Sequence, residues 1–332
     1  MRCAKERILV RPDVGRTSEG SPRRERNGRH INRCRHASGK LRNVPQSLIA
    51  RERDQLHRQL VEDGALALRE GVVTTADRAS RASKRVSELL AASLCARVGL
   101  AGLSAHRKDV DAGKTFALLV RNFISNTLEG IVSSSKPWQV MEGGSIGRFA
   151  QYAHLDEIEH LSEQYPELRI YLGGDYLVGP DICVSRGPIP DSAFGDAVIE
   201  SGEQLARSTF LRSGNNKLPV VHASVSCKWT LRSDRAQNAR TEALNLIRNR
   251  KGRTPAICLV TAEPLPTRLA SLADGTGDVD RVYHFALYEL QDAVAKAVAE
   301  NPNFAPQQVA LDRMTKGLRL ADISDLPFDL LI

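Results

Sequence analysis

Leu218-Pro219-Val220-Val221-His222-Ala223-Ser224-Val225-Ser226-Cys227-Lys228-Trp229 is the run that decides how this chain folds. Its small and β-branched residues read as a strand. A side-chain period of two then puts Ser226 and Lys228 on one face and Cys227 on the other. Upstream, Asp175-Tyr176-Leu177-Val178-Gly179-Pro180-Asp181-Ile182-Cys183-Val184 reads as a turn followed by an apolar, β-branched run, a strand entered through a proline that has no N–H to give a ladder, with Asp181 at the strand start. Two such strands side by side bring a carboxylate and an ammonium together.

Outward from these runs the pattern changes on each side. Over 48–62, 77–97, 115–128 and 147–164, apolar residues recur at three and four with Arg, Lys and Glu between them, which predicts surface helices packed on a core. From residue 169 onward, short β-rich runs at 171–172, 182–184, 220–229 and 256–260 are interrupted by a helical pattern over 234–248. A further helix is expected over 286–298, followed by a short C-terminal tail over 317–331. The expected fold class is α/β, a central mixed β-sheet flanked by helices with a helical N-terminal half. No internal repeat and no linker breaks the chain after residue 45, so one domain is expected over 46–332.

The chain has 332 residues, 42% hydrophobic, which is ample for a core and excludes a disordered or fibrous protein. Its net charge of +8 suggests an anionic partner, but the charge is unevenly placed. Residues 1–43 hold 13 Lys and Arg against 4 Asp and Glu; of the chain's 47 basic and 39 acidic residues, 34 and 35 remain beyond Asn43. The bulk basicity therefore belongs to the extension over 1–45, which is poor in apolar residues and is expected to be disordered. It has no apolar segment of secretory type. Six cysteines, Cys3, Cys34, Cys95, Cys183, Cys227 and Cys258, show no paired or zinc-type spacing and read as reduced core residues. The most apolar stretch, 89–103, contains Arg97 and is too short to span a bilayer, so a cytoplasmic protein without a membrane anchor is expected.

The residues at the strand ends suggest phosphodiester chemistry. Hydrolysis of a phosphodiester requires an activated water, charge stabilisation at phosphorus and help for the leaving oxygen, and one or two Mg²⁺ ions held by carboxylates serve all three. Asp181 is the first choice of ligand, with the Cys227 carbonyl a second. Lys228 would orient the water or stabilise the phosphorane, and Glu242, on the following helix, would return the second carboxylate. Ser226 stands where many nucleases of this chemistry keep an acid. A Pro-Asp with a distant S-x-K is common by chance, and each residue has an ordinary reading. Asp181 also fits a turn cap, Lys228 an edge-strand gatekeeper, and Glu242 a solvated helix residue paired with Arg235 or Asn238.

Local charge narrows the choice. Residues 228–253 hold 8 Lys and Arg against Asp234 and Glu242, a basic patch inside an otherwise slightly negative body. Ser233 or Asp234 can cap the helix there, and a helix N-terminus favours phosphate. Arg232, Asp234 and Arg235 form a base-reading set, since arginine donates to guanine O6 and N7 and aspartate accepts from cytosine N4.

At these residues the chain resembles the NgoMIV type II restriction endonucleases, a branch of the PD-(D/E)xK nucleases in which the motif acid is replaced by serine and a carboxylate arrives from the next helix. The likeness runs through residues 222–240, Asn249-Arg250-Lys251-Gly252-Arg253, Thr261-Ala262-Glu263-Pro264, Val282-Tyr283-His284-Phe285-Ala286-Leu287-Tyr288-Glu289-Leu290 and Asp322-Ile323-Ser324-Asp325-Leu326-Pro327, and spans about residue 46 to the end. It implies a restriction-endonuclease-like core, catalytic positions at Asp181, Ser226, Lys228 and Glu242, and two Mg²⁺ ions at the scissile phosphate. It also implies that Arg232, Asp234 and Arg235 read a CCGG core while Asp77 and Arg268 read the flanking G·C pair, giving GCCGGC cut after the first G. Tetramers engaging two DNA copies and a cognate cytosine methyltransferase follow from the same resemblance. Without it, Arg268 is an ordinary loop arginine and Asp77 an ordinary N-cap.

One position departs from the family. Its glutamate in a Gly-x-x-Phe-Glu segment corresponds here to Ala117 in Gly113-Lys114-Thr115-Phe116-Ala117. Alanine can neither ligate a metal nor order a metal-bound water. Three readings therefore compete: a Mg²⁺-dependent restriction endonuclease, a sequence-specific DNA-binding protein with impaired or lost cleavage, and a structure-selective repair nuclease. The last fits the bare motif but not the reading set at 232–235.

Overall fold

The computed structural model describes residues 46–132, 138–167, 170, 179–195, 197–200, 203–275 and 277–332. The basic extension and the β-run expected at 171–172 lie outside the described residues, as do Cys3 and Cys34. Three helices open the fold: α1 (Leu48–Glu62), α2 (Arg81–Val98) and α3 (Ala112–Ile131), with a two-stranded hairpin of β1 (Leu68–Arg69) and β2 (Val72–Val73) between the first two. Side chains at the N-caps set where they begin. Ser47 accepts from the Ala50 amide, Ser80 from Ser83, and Asp111 from Gly113 and Lys114, each replacing a bond that a helix start lacks. Helix α2 therefore starts at Arg81 and not at Asp77, whose carboxylate instead closes the preceding turn on the Ala79 amide at 3.0 Å.

Among the described residues the central sheet has six strands, in spatial order β3 (Trp138–Glu142), β4 (Ile182–Arg186), β5 (Val220–Lys228), β6 (Ala256–Thr261), β7 (Arg281–His284) and β8 (Leu320–Asp322). Strands β3, β4 and β5 pair antiparallel, whereas β5 to β8 run parallel. Parallel neighbours need crossovers. These are helices α5 (Ser233–Asn249), α6 (Pro266–Ala273), α7 (Leu287–Glu300) and α8 (Ala305–Lys316), with α4 (Ala153–Gln164) lying earlier in the chain, between β3 and β4. The result is the mixed α/β sheet expected, helical in its first half. Strand β5 is interior, which removes the edge-strand reading of Lys228.

Two expectations are corrected. The segment at 147–164 is not one helix: a 3₁₀ turn at Ile146–Arg148 precedes α4, Phe149 between them has extended backbone, and Gly147 packs so closely on Asp156 that an added Cβ would lie 2.9 Å from its Cβ. The C-terminal segment is not a tail: β8 completes the sheet and α9 (Leu326–Asp329) covers its end. Cys95, Cys183, Cys227 and Cys258 are free and buried, as core thiols. Among the described residues no helix is long and apolar enough to cross a membrane.

The helical layer is tied to the sheet by a buried ion cluster. Arg53 of α1, 2% exposed, donates Nε to Asp322 Oδ1 at 2.8 Å and Nη2 to Oδ2 at 2.7 Å, and reaches both oxygens of Glu289 at 3.0 and 2.7 Å. Burial raises the Glu289 pKa, but the Arg53 hydrogen bonds and charge override it and hold the group at about 2. Removing one partner from such a set leaves uncompensated buried charge. We expect Arg53→Ala to cost about 3–5 kcal/mol in urea unfolding. The contribution of Glu289 to the unmutated protein is present above the ordinary glutamate range, near 4.5, and is lost as pH falls toward about 2. An Arg53→Ala protein whose urea midpoint is unmoved would exclude this role.

Candidate active site

Asp181 sits immediately before β4, and its neighbour Ile182 pairs with Val225. That antiparallel register carries the carboxylate to the C-terminal end of β5. Asp181 Oδ2 accepts from the Cys227 amide at 2.7 Å, a bond between strands, so the aspartate does not serve as a local turn cap. The alternation along β5 holds at this end: Ser226 and Lys228 are half-buried on one face and Cys227 is buried on the other. Lys228 Nζ lies 3.5 Å from Asp181 Oδ2.

The second carboxylate comes from α5. Ala239, Ala243 and Leu246 are its buried positions, and Glu242 falls beside them at helical spacing, so the packing of α5 aims that side chain at the sheet. Glu242 Oε2 lies 3.4 Å from Lys228 Nζ and 3.3 Å from Ser226 Oγ, which is also 3.3 Å from Asp181 Oδ2. Thus Glu242 pairs with Lys228, not with Arg235 or Asn238. Ser226 has a single hydroxyl proton to share between two carboxylate oxygens. A carboxylate at 226 would set a third negative charge against both, which gives a physical reason for serine there once the acid arrives on the helix.

None of these bonds uses Asp181 Oδ1 or Glu242 Oε1. Two carboxylates form a hard oxygen set beside Cys227, which lines one cleft with them, and Mg²⁺ needs only one or two protein carboxylates. The donor set fits that ion. Among the described residues no group of three or more His, Cys, Asp or Glu is gathered to hold a metal ion, so side chains here would supply two carboxylates at most.

A cleft of about 380 Å³ opens over the cluster, lined by Asp181, Lys228, Glu242 and, from α3, Lys114 and Ala117. The position that departs from the family thus faces the reacting groups. An adjoining cleft of about 350 Å³ shares Asp111, Trp229 and Arg235 with it and carries Arg69, Arg78 and Arg232. Arg232, Asp234 and Arg235 are exposed at the start of α5, where Arg232 is the N-cap residue and makes no capping hydrogen bond with its side chain. Arg235 Nη1 donates to Thr230 Oγ1 at 3.0 Å.

Asp77 and Arg268, 191 residues apart in sequence, form an ion pair. The Arg268 hydrogen bond is the main reason that the Asp77 pKa is lowered. Behind them lies a residue to which the sequence reading assigned no role. Glu263 is fully buried, and burial pushes its pKa up to about 7. Within the sequence it is one glutamate beside a proline, a pattern normally taken for a surface loop.

Three other conspicuous side chains serve the scaffold. His222 Nε2 is 2.7 Å from the Leu330 carbonyl, and its ring lies edge-on to Trp138. Trp229 packs against Phe116 and donates to the Thr74 carbonyl at 3.3 Å. Tyr283 donates its hydroxyl to Asp329 Oδ2 at 2.7 Å.

Comparison with known proteins gives three findings. The family model described as NgoMIV restriction enzyme matches residues 56–332. The type II restriction enzyme NgoMIV of Neisseria gonorrhoeae is 40% identical over 293 residues, covering 86% of this chain and 99% of that one. Among solved structures, a restriction endonuclease PspGI complex with substrate DNA aligns over 86% of this chain and 92% of its own at 13% identity, with a TM-score of 0.33.

Proposed function

This chain belongs to the NgoMIV family of restriction enzymes and is a type II restriction endonuclease, and from that premise we propose that it cuts double-stranded DNA at GCCGGC, after the first G, leaving 5′ overhangs. The observation that carries the catalytic assignment is the convergence of Asp181, Ser226, Lys228 and Glu242 beneath one cleft that adjoins the exposed arginines of α5. In this reading Asp181, the Cys227 carbonyl and Glu242 would hold Mg²⁺, with two ions expected per site. When bound, the metal supplies an activated water and neutralises charge on the phosphate and the leaving oxygen.

The chain's own groups do the rest. Lys228 places a positive charge between the carboxylates, where the phosphorane develops. Ser226 holds the inner oxygens of Asp181 and Glu242 with its proton. Arg232, Asp234 and Arg235 read the CCGG core in the major groove, and Asp77 with Arg268 reads the outer G·C pair. We further propose a single restriction-endonuclease domain over 46–332, a tetramer that binds two DNA copies, and a cytosine methyltransferase that protects the host at the same sequence. Action on DNA inside the cell places the protein in the cytoplasm.

Ala117 favours a second reading, a sequence-specific DNA-binding protein with impaired or lost cleavage, because the residue faces the reacting groups and brings no carboxylate. One experiment separates the two. Plasmid carrying GCCGGC is incubated with the protein and Mg²⁺, and duplex binding is followed in parallel. Fragments ending at GCCGGC are expected; binding at that sequence without fragments would establish the second reading, and neither result would remove both.

A further inference from the structure

Glu263 follows β6 by two residues, and its carboxylate is shared by two helix starts. Oε2 accepts from the Leu231 amide at 2.8 Å and Oε1 from the Leu265 amide at 3.2 Å, while Arg268 Nη1 lies 3.9 Å from Oε1. Leu231 directly precedes Arg232, the N-cap of α5; Leu265 is the N-cap of α6, whose first turn carries Arg268. Both amides and the carboxylate are buried, so water cannot replace either bond. Arg268 in turn holds Asp77. One carboxylate therefore anchors the backbone that leads into the segment at 232–235 and the backbone that carries Arg268, the partner of Asp77.

We propose that Glu263 is a positioning residue that fixes the spacing between the core-reading segment at 232–235 and the flanking-pair readers Asp77 and Arg268, so that both sets engage one continuous site. This rests on the base-reading assignment above. Two acceptor oxygens are essential to it. A glutamine has one acceptor and turns its NH₂ toward the other amide, so it can hold only one of the two helix starts.

The test measures affinity for fluorescent duplexes without divalent cation, so that cleavage does not interfere. The duplexes contain GCCGGC, ACCGGT with the outer pair exchanged, or a scrambled core. The unmutated protein is expected to prefer GCCGGC over both. Glu263→Gln is expected to lose about tenfold of its preference for GCCGGC over ACCGGT. Leu269→Ala, a buried change in the same α6 helix, is expected to lower the melting temperature and leave that ratio in place. Equal loss in both variants would reduce Glu263 to packing and overturn the proposal. An unchanged ratio in Glu263→Gln would overturn the proposal alone, whereas an unmutated protein with no preference would overturn the base-reading assignment together with it.

Should Glu263→Gln not fold, the unmutated protein still gives an answer. The charged or titratable groups facing Glu263 are Arg268, Asp77 and His284. Hydrogen bonding to Arg268 lowers the Asp77 pKa, and burial lowers that of His284 to about 4, so neither changes charge between pH 6 and 8.5. Glu263, raised to about 7 by burial, does. The GCCGGC to ACCGGT preference is expected to fall in step with protonation of the Glu263 carboxyl, followed by its ¹³C chemical shift, and a ratio that stays constant while that carboxyl takes up its proton would overturn the proposal.

Discussion

Lys228→Ala is expected to lower single-turnover cleavage of GCCGGC duplex by roughly 10²–10³-fold, the usual loss when one charge-stabilising donor is removed from a reacting phosphate or oxyanion. The geometry gives the reason. Nζ stands 3.5 Å from Asp181 and 3.4 Å from Glu242, so it is the one cation in direct contact with both carboxylates among the described residues. Removing it leaves two like charges facing one another across Ser226. That change favours a divalent cation, so metal affinity is expected to hold or rise while turnover falls. Duplex binding is expected to persist, because the exposed arginines of α5 are untouched. Measured together, rate and affinity decide the matter: cleavage at the unmutated rate would remove Lys228 from the chemistry, and a parallel loss of binding would make its role structural.

Ala117→Glu is the second large effect, and its sign is opposite. Ala117 lines the cleft over Asp181, Lys228 and Glu242 on a helix whose start is fixed by Asp111, so a glutamate there projects into the same space. Carboxylates that support a metal or order its water are worth about 10–100-fold in affinity or activity. An increase of that order in cleavage rate is expected, largest at limiting Mg²⁺ where metal binding controls the rate. Identical rates in both proteins across the Mg²⁺ titration would show that the site is complete without the acid. The substitution adds charge at a partly exposed position, so the melting temperature is expected to change little.

The sequence announced β5 and α1 clearly, for different physical reasons. Strand β5 is nine residues long and alternates at its catalytic end, and α1 begins at a serine whose side chain caps it. Strands β7 and β8, of four and three residues, are too short to show any period. Helix α6 begins at Pro266 behind another proline, which reads as loop until the N1 position of Pro266 is seen. The convergence of Asp181, Ser226, Lys228 and Glu242 was legible because three of these positions are fixed by strand register and one by a helical stripe. Glu263 was not, because its partner amide is 32 residues away and its burial exists only once α5 and α6 have both formed.

The ion pair between Asp77 and Arg268 bears on how an incorrect sequence is refused. In the free protein each member satisfies the other, so neither side chain searches solvent as an unmatched charge. Under the proposed reading, contact with DNA requires them to part, and a guanine and a cytosine at the outer position offer each the replacement it needs. An A·T pair does not, and the two side chains then keep one another. Rejection is thereby a return to a stable resting state and not a collision, and a mismatched duplex can leave without any rearrangement of the fold.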